Sequence, residues 1–220
     1  MNNKKIIIMG DVHGEIRKLN NFINKKRPEI ILQCGDFGWW PSFRDNVDKI
    51  AKFKNTKVYF CDGNHEEHSV LRQDGKVHEL CPNVFWCSRG STITLPDGRI
   101  VLFIGGASSA DKRWRKEGVT WFPEEDITDD DIHRALNHDH VDIVISHTCP
   151  LHFSIDFNKM FVYDKIHDKN RERLDAVLKK YQPDLWFFGH WHTHCIGICG
   201  NTKWECFDYL GHTDIYFDYL

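Results

Sequence analysis

At 220 residues and 26.0 kDa, with a formal charge of −3 and a pI near 6.5, the chain has the size of one domain with a substantial core. That charge balance argues against nucleic-acid or anionic-membrane binding driven by net charge, and a mean hydropathy of −0.50 without a long apolar run argues against a membrane span. The expectation is a single domain over residues 1–220, in the cytoplasm, because the apolar run after Lys4-Lys5 stops at Gly10-Asp11, too soon for a signal peptide.

A first strand is expected at residues 6–9, followed by a helix with Ile16, Leu19, Phe22 and Ile23 on one face. The Pro28 region ends that helix and leads into a strand at 30–32. A second amphipathic helix carries Phe43, Val47, Ile50 and Ala51, and a third strand lies at 58–61. This βαβαβ start implies parallel strands and right-handed crossovers. From about residue 84 the pattern changes: 91–95 and 99–104 alternate around Pro96-Asp97-Gly98, a hairpin signal. Residues 106–126 show no period and read as a long excursion over the sheet edge, of the kind that is usually functional or disordered. Thr128 with Asp131 suggests a capping box for a short helix holding Ile132, Ala135 and Leu136.

A strand at 141–145 comes next, then an irregular loop to about 164. Leu174, Val177, Leu178 and Tyr181 mark a helix ended by Pro183, and a strand follows at 185–188. The tail from His194 is strand-like, with turns near Gly200-Asn201 and Gly211-His212. The architecture expected is one α/β domain (α+β, four layers), with two sheets face to face and helices outside. Eight cysteines include no Cys-x-x-Cys pair, and Cys34 and Cys61 end buried strands. A zinc site from His194, Cys195, Cys199 and Cys206 fits no standard spacing, so reduced, mostly buried thiols are the better reading.

The chemistry collects where strands end. Asp11 and His13 follow the first strand, Asp36 the second, and Asn64 and His65 the third. His147 follows the strand at 141–145, and His190 and His192 follow that at 185–188. In an α/β sheet such junctions share one edge, where ligands bind. Carboxylate, amide oxygen and imidazole are the donors that divalent metals in phosphoester hydrolysis use, commonly as a pair roughly 3.5–4 Å apart with a bridging carboxylate. Taken singly, an Asp after a strand is usually a turn residue and a His an ordinary surface or core residue. His68, His78, His133, His138, His140 and His212 are assigned to that ordinary class.

Gly-Asp-x-His, Gly-Asp, Gly-Asn-His-Glu, Ser-His and Gly-His-x-His, in this order over residues 6–194, resemble the calcineurin-like metallophosphoesterases. The resemblance implies a β-sandwich of two mixed sheets flanked by helices. It also implies that Asp11, His13 and His192 hold one metal, that Asn64, His147 and His190 hold another, and that Asp36 bridges them. His65 would touch the phosphate and protonate the leaving oxygen, with water attacking phosphorus in line and no phosphoenzyme formed. The two divalent ions expected are Mn²⁺ first, with Fe, Zn²⁺ and Ni²⁺ as alternatives.

The sequence departs from the protein phosphatases of this superfamily at Gly35-Asp36-Phe37-Gly38-Trp39-Trp40, which lacks the arginine of their Gly-Asp-x-x-Asp-Arg-Gly. The Trp39-Trp40 pair, Trp39 first, is a candidate for stacking on a nucleobase or other flat substrate group, against the commoner reading of packing. Residues 111–116 resemble a stretch of small stand-alone bacterial and phage members, and Arg113 or Arg115 could supply the missing phosphate clamp. The competing reading is a solvated basic loop balanced by Glu124, Glu125 and Asp126. The leading expectation is a dimetal phosphoesterase acting on a phosphodiester or nucleotide-like small molecule. A phosphomonoesterase, including a protein phosphatase, comes second and a single-strand nuclease third. From a different class, a non-catalytic metal-binding scaffold is disfavoured by the presence of His65 and all seven candidate ligands, and a zinc amidohydrolase by Asn64.

Overall fold

The computed structural model describes residues 4–45, 53–155 and 168–217. Twelve strands among them form two six-stranded sheets. The first is built on β1 (Lys4–Met9), β2 (Ile30–Gln33), β3 (Lys57–Phe60), β4 (Val77–Cys81), β5 (Val84–Cys87) and β12 (His212–Phe217), in the order β12-β1-β2-β3-β5-β4. The second comprises β6 (Ser91–Thr94), β7 (Ile100–Ile104), β8 (Ile143–Ser146), β9 (Leu185–Phe188), β10 (Cys195–Cys199) and β11 (Thr202–Cys206), in the order β10-β11-β9-β8-β7-β6. In each sheet the four inner strands are parallel and both edge strands antiparallel.

Alternation within the strands builds a four-layer molecule. Ile6, Ile8 and Leu32 of the first sheet meet Val101, Phe103, Ile143, Ile145 and Phe187 of the second in a shared core. The other face of the first sheet, with Ile7, Met9 and Ile31, takes α1 (Ile16–Lys26) through Ile16, Leu19 and Ile23. Leu102, Val144 and Trp186 on the second sheet's outer face take α3 (Asp129–Ala135) and α4 (Lys169–Tyr181). The most central strands are buried on both faces and their runs are continuously apolar, as in β8 (Ile143, Val144, Ile145), none of them exposed, whereas the inner strand β11 keeps Lys203 exposed on one face.

The helix termini follow their local chemistry. The Thr128–Asp131 capping box opens α3, and the Asp168 carboxylate accepts from the Asn170 and Arg171 amides at 3.0 and 3.3 Å to open α4. Both α1 and α4 close on a left-handed residue, Arg27 and Gln182, with lysines in the last turn. The expected second helix is seen only as its first turn, α2 (Pro41–Arg44); its positions Val47, Ile50 and Ala51 lie outside the described residues. The β4–β5 hairpin was not expected from the sequence. Residues 106–126 are irregular, with short 3₁₀ turns at Lys112–Trp114 and Pro123–Glu125.

The zinc alternative finds no support among the described residues. Cys195 and Cys206 face each other across β10 and β11, Cys199 pairs with Thr202 at the other end of that hairpin, and the His194 ring engages Glu205 at 3.0 Å. All eight cysteines are free thiols, and six of them are buried.

Candidate active site

The parallel strands of both sheets release their loops at one rim, and five of those loops converge. Asp11 and His13 leave β1, Asp36 leaves β2, and Asn64 and His65 leave β3; His147 leaves β8, and His190 and His192 leave β9. Backbone bonds lock the loops to one another. The Val12 and His13 amides donate to the Asp36 carbonyl at 3.0 and 2.7 Å, Gly14 to Phe37 at 2.9 Å, and Gly189 to the His147 carbonyl at 3.0 Å. Gln33 ties two loops, its side-chain amide donating to the Gly10 carbonyl at 3.1 Å and accepting from the Gly35 amide at 3.1 Å.

Tight packing explains two of the glycines. A Cβ on Gly63 would stand 2.0 Å from Oδ1 of Asp36, and one on Gly189 would stand 2.0 Å from Oδ1 of Asp11. Each glycine clears the space that a carboxylate from another loop occupies, Asp36 from the neighbouring strand and Asp11 from the facing sheet. The backbone is bent to match: of eight non-glycine residues with positive φ among those described, four are His13 (48°), Asp36 (50°), His190 (67°) and His192 (45°). Each such residue costs about 1–3 kcal/mol and persists where surrounding structure enforces it, commonly at functional sites.

The side chains meet in two groups that share Asp11: Asp11 with His13 and His192, and Asp11 with Asp36 and His147. In the first, Nε2 of His192 lies 3.0 Å and Nε2 of His13 3.5 Å from Oδ2 of Asp11, and the two imidazole nitrogens are 3.1 Å apart. In the second, Nε2 of His147 lies 3.4 Å from Oδ2 of Asp36 and 3.1 Å from Oδ1 of Asn64. Oδ2 of Asp36 is also 3.7 Å from His13, so that one oxygen stands between the groups. His190 joins neither tight group; its ring packs edge-on against His147, with centroids 4.9 Å apart, and lines the same cavity.

Protonation is set by the partners. Nδ1 of His147 lies 2.8 Å from the Cys34 carbonyl, which can only accept, so Nδ1 carries a proton and Nε2 is the nitrogen turned toward Asp36 and Asn64. Burial lowers the basicity of His147, but the Asp36 carboxylate and then Asp11 outweigh it and lift its pKa to about 10. Burial likewise opposes ionisation of Asp11, yet its contacts with His13 and His192 and the charge on His147 bring it down to about 2. Burial and the His147 charge hold His190 neutral, at about 3. The set therefore balances two buried carboxylates with imidazoles alone.

These residues fit divalent cations. They offer the mixed carboxylate, amide and imidazole donors that such ions take, and Oδ2 of Asp11, wholly buried, receives no well-aimed hydrogen bond from the protein.

Of the three substrate-contact candidates, Arg115 reaches the site. Its guanidinium lies 2.9 and 3.1 Å from the two ring nitrogens of His65 and is held by Asp111 at 2.8 Å. A guanidinium has no acceptor, so the His65 nitrogen it faces carries a lone pair. Burial, followed by Arg115 and the neighbouring imidazoles, lowers the His65 pKa against the pull of Asp36. Arg113 instead lies over the exposed Trp114 ring at 3.9 Å, away from the cavity. The expectation for Trp39 is corrected: its indole is 4 % exposed and packs in the core against Phe43 and Phe60, while its neighbour Trp40 lines the groove beside His65. Nor do Glu125 and Asp126 balance the basic loop. Glu125 is buried and accepts from the Ser109 amide and hydroxyl at 2.6 Å each, and Asp126 accepts from Ser108 at 2.6 Å.

Several supporting residues were missed from sequence. Glu66 is buried and gathers the Phe37, Gly38 and Trp39 amides, fixing the loop after Asp36. Ser109 accepts from the Asn64 side-chain amide at 3.1 Å, which orients the Asn64 carbonyl oxygen toward His147. Asp62 and Arg89 form a buried pair at 2.6 Å just before Asn64. Only Glu66 had a readable signal, its place directly after Gly63-Asn64-His65.

The family model described as calcineurin-like phosphoesterase matches residues 4–194. Among solved structures, a dimetal phosphatase from Danio rerio shares the fold with a TM-score of 0.53 and 12% identity, covering 97% of this chain and 92% of that one. GAP50, the anchor in the inner membrane complex of Plasmodium, does so with a TM-score of 0.51 and 14% identity, covering 94% and 71%. No curated protein matches the sequence.

Proposed function

Because the chain belongs to the calcineurin-like phosphoesterases and is a metal-dependent phosphoesterase, we propose that it hydrolyses a phosphodiester or nucleotide-like small molecule, with His65 as the proton donor. The observation that carries this reading is Oδ2 of Asp36, placed 3.4 Å from His147, 3.7 Å from His13 and 4.0 Å from His65. One oxygen thus faces a ligand of each group and the acid at once.

Asp11, His13 and His192 would hold one ion, and Asn64, His147 and His190 the other, with Asp36 between them. Divalent ions bound there make water more acidic and offset charge developing on the phosphoryl group. Mn²⁺ is the ion proposed first, with Fe, Zn²⁺ and Ni²⁺ as alternatives. The His65 amide donates to Oδ1 of Asp36 at 2.8 Å, which fixes the backbone of the acid against the carboxylate proposed to bridge. Arg115 contributes in two ways: it clamps a phosphoryl oxygen and, drawn off the imidazole by that oxygen, leaves His65 facing anionic oxygens that favour its protonated form. A phosphomonoesterase is the second reading, favoured by that same arginine, since a guanidinium beside the acid suits a dianionic phosphate. No helix among the described residues is long and apolar enough to cross a membrane, and a cytoplasmic location is proposed.

Hydrolysis of bis-p-nitrophenyl phosphate and p-nitrophenyl phosphate with added Mn²⁺ tests the assignment. Asp36→Asn should lose activity by about 10³-fold and His65→Ala by about 10²-fold on the diester. Mn²⁺ binding without cleavage of either ester, or two variants as active as the parent, would sink it; equal rates on both esters would remove the diester preference.

A further inference from the structure

The cavity holding the proposed ligands opens, past His65 and Arg115, into a second cavity of about 440 Å³. Both residues line both spaces, so a phosphoester held in the first can extend one substituent into the second. His65 stands at that boundary, and the substituent it faces is the one it would protonate. This argument rests on the reading of the reaction just given.

The walls of the second cavity combine flat apolar surface with a few polar groups. Trp40, Pro41, Val119 and Phe122 supply flat or apolar surface. The Trp40 indole is fixed against the loop that carries His13: a Cβ on Gly14 would meet its ring at 2.6 Å. Val119 is 57% exposed on the rim, so its apolar face is presented to whatever enters. The polar members are Glu66, Glu67 and Thr120, and Arg115 is the one cation among the described lining residues. Arg115 is itself engaged by Asp111. With Arg115 committed to the phosphoryl group, a leaving group bearing further phosphates would meet carboxylates and no second cation among the described lining residues. An uncharged planar group with N–H or O–H donors meets an indole face and a Glu67 carboxylate that retains acceptor capacity beside its partner Arg44. The volume lies in the range of small-molecule sites.

We propose that this groove is the leaving-group subsite, that it takes an uncharged nucleoside as part of a small nucleotide ester, and that Trp40 is the residue that determines this specificity.

The test is a calorimetric titration of the metal-free protein with adenosine, alongside ribose and inorganic pyrophosphate. Adenosine should bind saturably, ribose at least about tenfold more weakly, and pyrophosphate should not displace it. Trp40→Ala should weaken adenosine by about tenfold or more, as loss of a stacked base does, and Trp40→Phe should stay within about threefold of the parent. Val119→Asp, at an exposed position that folding does not need, should weaken it several-fold. Adenosine binding no better than ribose, displacement by pyrophosphate, or parental affinity in both Trp40→Ala and Val119→Asp overturns the proposal. A ~20-nucleotide single strand binding more than tenfold tighter than adenosine would overturn the small-nucleotide source in favour of a strand. Bis-p-nitrophenyl phosphate with Mn²⁺ separates the two readings. Adenosine bound without hydrolysis defeats the reaction and leaves the groove, whereas hydrolysis without adenosine binding defeats the groove alone.

Discussion

Two clusters of buried charge lie a few residues apart and are neutralised in opposite ways. Around Arg89, the Asp62 carboxylate accepts from the guanidinium at 2.9 and 2.6 Å and Asp131 accepts at 3.1 Å, while the carbonyls of Glu124, Glu125 and Asp126 take the remaining donors. That cluster is fully buried and carries its own permanent cation. At the strand-end rim, Asp11 and Asp36 are equally buried, yet they are matched only by imidazoles, which can give up their protons. A charge cluster that closes with arginine is a structural knot; one that closes with histidines is left able to exchange protons for cations.

The largest expected effect breaks the first side of the contrast. Arg89→Ala strands Asp62 without a cation and leaves Asp131 with Arg134 alone, and denaturant unfolding should show a loss of about 3–5 kcal/mol that Mn²⁺ does not restore. A loss under about 1 kcal/mol would mean that the knot is not what holds residues 124–126 to the β3 loop.

Next comes His68, which packs beside that knot with Nε2 3.0 Å from the Gly63 carbonyl and is 4% exposed. Burial pushes its pKa down from 6.5 to about 4, against the pull of Asp62. The unfolded chain then binds the proton that the folded one refuses, so stability is full above pH 6.5 and falls as the pH drops toward 4. The loss should be about 3 kcal/mol over that window, at roughly 1.4 kcal/mol per pKa unit. Thermal unfolding against pH should show this slope in the parent and a flatter one in His68→Gln; equal slopes would refute the assignment.

The smallest effect probes the rim. Mn²⁺ at about a hundredfold over its dissociation constant should stabilise the protein by about 2.7 kcal/mol. Asp36→Asn should lose most of that increment and an Arg89 variant should keep it. The same shift in both variants would erase the distinction between the clusters.

The rim was legible in the sequence because its pattern is local: an apolar run, a glycine, then Asp, Asn or His. The sheets were legible for the same reason, since strands buried on both faces are unbroken in hydrophobicity. The β4–β5 hairpin was not, because β4 is mostly half-buried or exposed and carries His78 and Glu79, and Asn83 sits in the turn. The Arg89 knot was invisible because charge in a sequence reads as surface, and only tertiary placement decides otherwise. Adjacent like residues were the other blind spot. Trp39 and Trp40, or Arg113 and Arg115, are equivalent as letters. The backbone after Gly38 sends one indole into the core and the next into the groove, and the 3₁₀ turn at Lys112–Trp114 sends one guanidinium outward and the other onto His65.

The pairing of Asp11 with His192 closes a gap of 181 positions along the chain. On a ribosome, Asp11, His13 and Asp36 emerge long before the imidazoles of β8 and β9 that complete their shell. The early half of the protein thus carries carboxylates that have no stable burial until the second sheet docks. Ion capture can then serve as a readout of correct docking, because a polypeptide released before residue 147 retains the acidic half of the cradle and none of the imidazoles that close it.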